Sequence, residues 1–450
     1  MAAATAAVLV LALAASSASA KTSFKYMPGF DDPDTPDNLD RVGVLKVGPK
    51  KARNVLVLNP GTSASAAYFR PLAQFVGKET RGWQVWAVER RENQLEDQSV
   101  FDQAKAGQVS TRRMFDYYLG YLTDPSVTDH FQSIPDSEVG FARNWGMNVE
   151  IEDLRRVVKK AAKRGGEVVV GGHSLGGSIT TAYATWDFNG KAGAKGLAGL
   201  VYIDGGSDPT PISPAEANQD LADLEAGSPW LAFGGIPAPF AGLFNTVGST
   251  GTHLEPNGVG ELQTWPLLPD NLKPPALATN QGAYGFALDV DTSPSSLIAA
   301  HAHLGRLADS GHPRPWVDHE LTPIDRYAQM FSGTGLKGLD GTAWYHPARL
   351  TIDSDAVAAG NPNSAQQVLG VHATHGDDLK RGLRIYAFGA ALGGQRVLDA
   401  ASALADQSGI PGRNLTLVNR EATYSHNDPN SAFPKNAFVK KLSKFLGRIG

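Results

Sequence analysis

Apolar runs of strand length recur along this chain, and a helical stripe lies between two of them. Residues 42–47 and 54–59 read as strands. The second is apolar at every interior position, Val55-Leu-Val-Leu58, as a strand covered on both faces requires. Residues 83–88, 167–171, 200–204, 383–388 and 415–418 repeat the signal. Residues 151–164 instead place apolar side chains at 151, 154, 157, 158, 161 and 162, one face of a helix that Gly165-Gly166 ends. Strands alternating with helices predict a mostly parallel sheet with helices on both faces.

Between Asp204 and Leu383 the texture changes to Pro, Gly, Trp and His with few strand-like runs, as in Ser228-Pro-Trp and Ile236-Pro-Ala-Pro-Phe240. The chain is therefore divided into a core of residues 21–205, a large inserted cap of residues 206–376 and a second core segment, 377–450. Its 450 residues, 42% hydrophobic and 19% charged, suffice for a sizeable core. Residues 1–20 form an apolar, Ala-rich stretch ending in Ala18-Ser-Ala20, the pattern of a signal peptide cleaved before Lys21. The expected product is secreted or extracytoplasmic, with no obligate membrane span in the mature chain. The acidic, Pro-rich residues 31–40 read as a solvated leader. A net charge of −4, with 41 basic and 45 acidic residues interspersed, provides no face for nucleic acid. With no cysteine, disulfides, thiolate metal sites and a cysteine nucleophile are excluded.

Chemistry enters at Gly172-His-Ser-Leu-Gly176, which follows a buried strand and precedes a helix-compatible segment. Strand, sharp turn and helix is the setting a nucleophilic serine needs, with glycines where side chains would strike neighbouring backbone. Ser174 is thus the candidate nucleophile. Its hydroxyl requires a base, and His426, a few residues beyond the last strand and ahead of a terminal amphipathic segment, fits. An oxyanion would need two donors. One is the backbone N–H of Leu175 at a helix N-terminus; the other comes from the loop Asn59-Pro-Gly-Thr-Ser63, from Thr62 or Ser63.

The order of these parts resembles the α/β-hydrolase fold, specifically capped serine hydrolases of the lipase and esterase type. The resemblance covers residues 42–205 and 377–446. It departs where the family has His-Gly and this chain has Asn59-Pro60-Gly61, and where Asp-Arg-Gly is replaced by Glu89-Arg90-Arg91. It implies ester hydrolysis through a Ser-His-Asp triad and an acyl-enzyme, a small-molecule or lipid-like ester substrate, and no cofactor. The family's usual site for the acid, the loop after residue 388, reads Gly-Ala-Ala-Leu-Gly-Gly and holds no carboxylate. Asp204, at the end of the strand after the elbow helix, is the preferred acid; Asp399, or a turn-capping role for Asp204, is the alternative. Two other readings stay open: a capped aminopeptidase or amidase, and a non-catalytic binding protein on the same scaffold. His301, His303, His372 and His375 lack the spacing of a metal site and read as surface or substrate-lining residues.

Overall fold

The computed structural model describes residues 21–318 and 320–450; residues 1–20, on which the expectation of export rests, and His319 lie outside the described residues. Eight strands form one sheet in the order β1-β2-β4-β3-β5-β6-β9-β10. They are β1 (Thr22–Pro28), β2 (Arg41–Val47), β3 (Asn54–Asn59), β4 (Trp83–Glu89), β5 (Val168–His173), β6 (Gly199–Ile203), β9 (Arg384–Gly389) and β10 (Leu415–Asn419). A two-stranded ribbon, β7 (Arg306–Leu307) and β8 (Trp316–Val317), lies apart. Pairing is antiparallel for β1–β2 and β2–β4 and parallel from β4 to β10. Every strand expected from the apolar runs is present, with ends shifted by a residue or two.

Alternation along β3 shows how the sheet is covered. Val55 and Val57 join a core with the helices Met147–Ala162 and Leu175–Thr185, while Leu56 and Leu58 join another with Arg70–Glu79 and Ala437–Leu446. The helix Met147–Ala162 buries Ile151, Leu154, Val157, Val158 and Ala161, the stripe read from the sequence. Leu175–Thr185 is buried all round and carries no polar face.

A third apolar cluster sits outside these two. Phe101, Phe115 and Tyr118, from the helices Ser99–Lys105 and Thr111–Tyr118, pack with Trp230, Leu243, Trp265 and Trp344. In space, this layer draws on both sides of residue 205. Conversely Leu350, Val357 and Leu369, within residues 206–376, pack into the sheet core beside Met147–Ala162.

One strand escaped the sequence reading, and one expectation is corrected. Residues 22–28 are a full edge strand, paired from Thr22↔Val47 to Pro28↔Arg41. Nor are residues 31–40 simply solvated. Asp32 and Leu39 are buried, and the Asp40 carboxylate lies 2.7 Å from Arg91, whose guanidinium also holds Asp153 at 2.8 Å. A buried Arg91 needs those partners, and this anchors the leader.

Candidate active site

Parallel register brings the carboxyl ends of β3, β5, β6 and β9 to one edge: Asn59 lies opposite Gly172, His173 opposite Ile203, and Ile203 opposite Phe388. Residues that follow these ends share the crevice where open α/β sheets bind ligands. Ser174 comes directly after β5 with φ 55° and ψ −126°, a conformation costly for any residue with a Cβ. A Cβ on Gly172 would collide with the Gly176 carbonyl, and one on Gly176 with the Asn59 carbonyl. The strained turn therefore exists only because those two positions are glycine. Of the five described non-glycine residues with positive φ, three border this site: Ser63, Ser174 and Asp204.

His426 Nδ1 lies 2.7 Å from Asp204 Oδ2, and both residues are about 1% exposed. The acid-free loop after β9 has a different part: it donates backbone N–H groups to Asp204. Ala390 (2.6 Å), Gly393 (3.0 Å) and Gly394 (3.3 Å) donate to Oδ1, and Leu392 (3.3 Å) to Oδ2. Burial alone would raise the Asp204 pKa; the hydrogen bond and charge of His426 and the N–H of Ala390 outweigh it, and the carboxyl is held below the ordinary Asp value. Asp399 is exposed on the helix Gly394–Gln407 and, among the described residues, accepts only from Gln395.

The loop carrying His426 is tied on two sides. His173 Nε2 donates to the His426 carbonyl at 2.9 Å, since a carbonyl can only accept. Burial, then the neighbouring His426 charge, push the His173 pKa well down and keep it neutral. Tyr68 donates to Asn427 at 2.7 Å, and Asn427 in turn donates to the carbonyls of Ala299 and His301. Asp428, fully buried, accepts from Ser425 N, Thr322 Oγ1 and His303 N and lies 2.6 Å from His303 Nδ1. His303 is thus an anchor for the histidine loop. His301, His303, His372 and His375 do not line the cavity over Ser174.

That cavity, about 410 Å³, is bordered by Ser174, His426, Gly61, Thr62 and Ser63. Its walls are mostly apolar: Met114 and Phe115 from one helix, Ala241, Phe244 and Gly248 from Phe240–Leu254, Ala283 and Ala287 from Asn280–Leu288. The size is that of a small-molecule site. Glu261 is the only carboxylate in its wall among the described residues, and Arg112 lies 3.2 Å from it. Ser174 Oγ has no hydrogen-bond partner among the described residues, so the hydroxyl is free toward the cavity.

Leu175 is the first residue of its helix, and its N–H has no intrahelical acceptor. On the other side, Ala64 N donates to Gly61 O, closing a turn with Thr62 and Ser63 at its corners. Ser63 N–H is directed at His346 Nδ1, 3.4 Å away, whereas Thr62 N–H has no partner among the described residues. The sequence left these two donors equivalent. Also missed were Arg90, Tyr68 and His346, which act through contacts distant in the chain. Among the described residues no three His, Asp or Glu side chains gather as a metal would need. No described helix is long and apolar enough to cross a membrane.

No family model and no curated protein matches the sequence. Solved structures do resemble it. A candidate lipase from Sulfolobus solfataricus superposes with a TM-score of 0.50 at 16% identity, over 95% of this chain and 94% of that one. A lipase in an open form gives 0.42 at 14%, over 95% and 99%, and a thermophilic esterase from Thermogutta terrifontis gives 0.39 at 11%, over 95% and 99%. The first carries weight, and for the fold rather than the reaction. With the eight-stranded, mostly parallel sheet, helices on both faces and a serine at the turn after β5, the chain has the α/β-hydrolase fold.

Proposed function

We propose that this protein is an exported serine hydrolase that cleaves carboxylic esters of hydrophobic acids. The observation that carries the reading is Ser174 and His426 bordering one apolar cavity, with His426 Nδ1 held by Asp204. Because Asp204 occupies Nδ1, Nε2 is the nitrogen left to take the serine proton. Ser174 Oγ attacks the ester carbonyl, and the negative oxygen is received by the N–H groups of Leu175 and Thr62. Imidazolium then protonates the departing alcohol, and a water activated by the same histidine releases the acid. Asp204, kept ionised by the hydrogen bond and charge of His426 together with the backbone N–H of Ala390, fixes the tautomer and stabilises the imidazolium. An aminopeptidase would need an unpaired acid in the cavity to hold an amine; Glu261, beside Arg112, is not one.

Labelling by a fluorophosphonate, lost in Ser174→Ala, tests the nucleophile. A panel of p-nitrophenyl esters and aminoacyl anilides tests the substrate. Medium-chain esters are expected to exceed acetate in kcat/KM by about tenfold or more, from a few methylenes buried at about 0.8 kcal/mol each. Faster turnover of acetate or of the anilides would overturn the substrate class.

A further inference from the structure

We propose that Arg90 is the positioning residue of the oxyanion hole, holding the loop after β3 so that the Thr62 N–H faces the reacting carbonyl; the inference rests on the hydrolase reading above. Arg90 follows β4, the strand beside β3, and is 2% exposed. Its Nη1 donates to Pro60 O at 3.0 Å, and its Nη2 to Gly61 O and Ala64 O, each at 3.0 Å. Nε is held by Glu92 at 2.7 Å, so the guanidinium charge is neutralised without using the two nitrogens that grip the loop.

Peptide planarity turns this grip into an orientation. The Gly61 carbonyl and the Thr62 N–H belong to one trans peptide unit and point in opposite directions. When Arg90 draws the carbonyl down into the core, the N–H must rise toward the cavity that Thr62 borders. Gly61 is close enough to the nucleophile that an added Cβ would meet Ser174 Cβ at 2.8 Å, which places this peptide directly beside the serine. A cation on the carbonyl also polarises the unit and strengthens the N–H as a donor.

His346 completes the device. Ser63 N–H can only donate, so His346 Nδ1 must be the bare nitrogen, and Nε2 carries the proton toward Thr351 Oγ1 at 3.3 Å. Burial and the nearby Arg90 charge hold the His346 pKa well below its ordinary value, keeping the ring neutral. It thereby takes up the Ser63 N–H and leaves Thr62 as the loop's available donor.

The test is Arg90→Met combined with Glu92→Met, which removes both charges together and leaves neither buried alone, alongside Arg90→Lys. Removing one oxyanion donor costs about 10²–10³ in kcat. The double variant, checked for fold by circular dichroism, is expected to lose about 10- to 100-fold in kcat with KM within about threefold. The inhibition constant of an alkylboronic acid, whose tetrahedral adduct uses the same donors, should rise by a similar factor. Arg90→Lys, which cannot reach three carbonyls at once, is expected to lose about tenfold, and decides the matter if the double variant does not fold. A kcat within twofold of wild type, or a fall in kcat with boronate inhibition unchanged, overturns the role of Arg90 alone. A wild-type protein that neither hydrolyses esters nor labels at Ser174 overturns the hydrolase reading, and this role with it.

Discussion

Two buried carboxyl groups stand on opposite flanks of Ser174, Asp204 beyond β6 and Glu89 at the end of β4, and each is about 1% exposed. Their pKa values are pushed in opposite directions. Asp204 accepts from four backbone N–H groups and from His426, and its pKa is depressed. Among the described residues Glu89 accepts from only Ala66 N and Asn93 Nδ2, with Asp340 and Glu92 nearby, and burial pushes its pKa up to about 8. Equal burial therefore goes with opposite shifts, and what separates them is the hydrogen bond and charge of His426, added at Asp204 to the backbone donors and absent from the causes acting on Glu89. In the proposed mechanism the β6 flank supplies a fixed negative charge to steady an imidazolium. On the β4 flank the loop after β3 is held by the Arg90 guanidinium, which we propose positions an oxyanion donor.

The sharpest break in this comparison is Asp204→Asn. Asparagine keeps the shape but can present its amide to His426 and favour the wrong tautomer, so kcat is expected to fall by about a thousandfold or more with the fold retained. Asp399→Asn, on the exposed helix, is expected to stay within about twofold. Near-normal turnover in the Asp204 variant would show that its donors serve the fold and not the histidine.

Next in size is Thr62→Pro on the β4 flank. Thr62 occupies the second position of the turn from Gly61 to Ala64, and Ser63, with φ 51°, the third, as in a type II turn whose second position suits proline. The change deletes the N–H and leaves the turn geometry in place. A fall of about 10²–10³ in kcat, with KM little changed, is expected. Ser63→Ala, which keeps the N–H directed at His346, is expected to change kcat by less than about threefold. If the two variants behave alike, Thr62 is not the donor.

How far the sequence reaches differs between the flanks in the same way. Ser174, His426 and Asp204 could be placed because strand runs, glycine spacing and topology each left a readable trace, and a missing carboxylate after β9 pointed back to β6. What that loop does instead could not be read, since backbone N–H groups of Ala390 and Gly393 carry no side-chain signature. The use of Arg90 could not be read because its partners are carbonyls, which every residue has. The strand Thr22–Pro28 was missed because an edge strand buries only part of each side chain. The helices Ser99–Lys105 and Thr111–Tyr118 were missed because each gives barely two turns of periodicity.

The smallest expected effect bears on Glu89 alone. A carboxyl whose pKa is about 8 when folded and near 4.3 when unfolded holds its proton in the native state while the unfolded chain has released it. The native state then binds more protons, and stability must fall as pH rises between those two values and level off above them. Glu89→Gln replaces the protonated carboxyl with an amide of the same shape that cannot ionise. The side chain of Asn93, whose Oδ1 has no partner, can turn to accept from that amide, while Ala66 N keeps its acceptor. Urea unfolding at pH 5, 6, 7 and 8 is expected to show a shallower decline for the variant than for wild type, with the two nearest at pH 5. Some slope should survive, because Glu150 is also pushed up to about 8 by burial. Parallel curves would mean that Glu89 is ionised in the folded protein, and the contrast with Asp204 would fail on that flank.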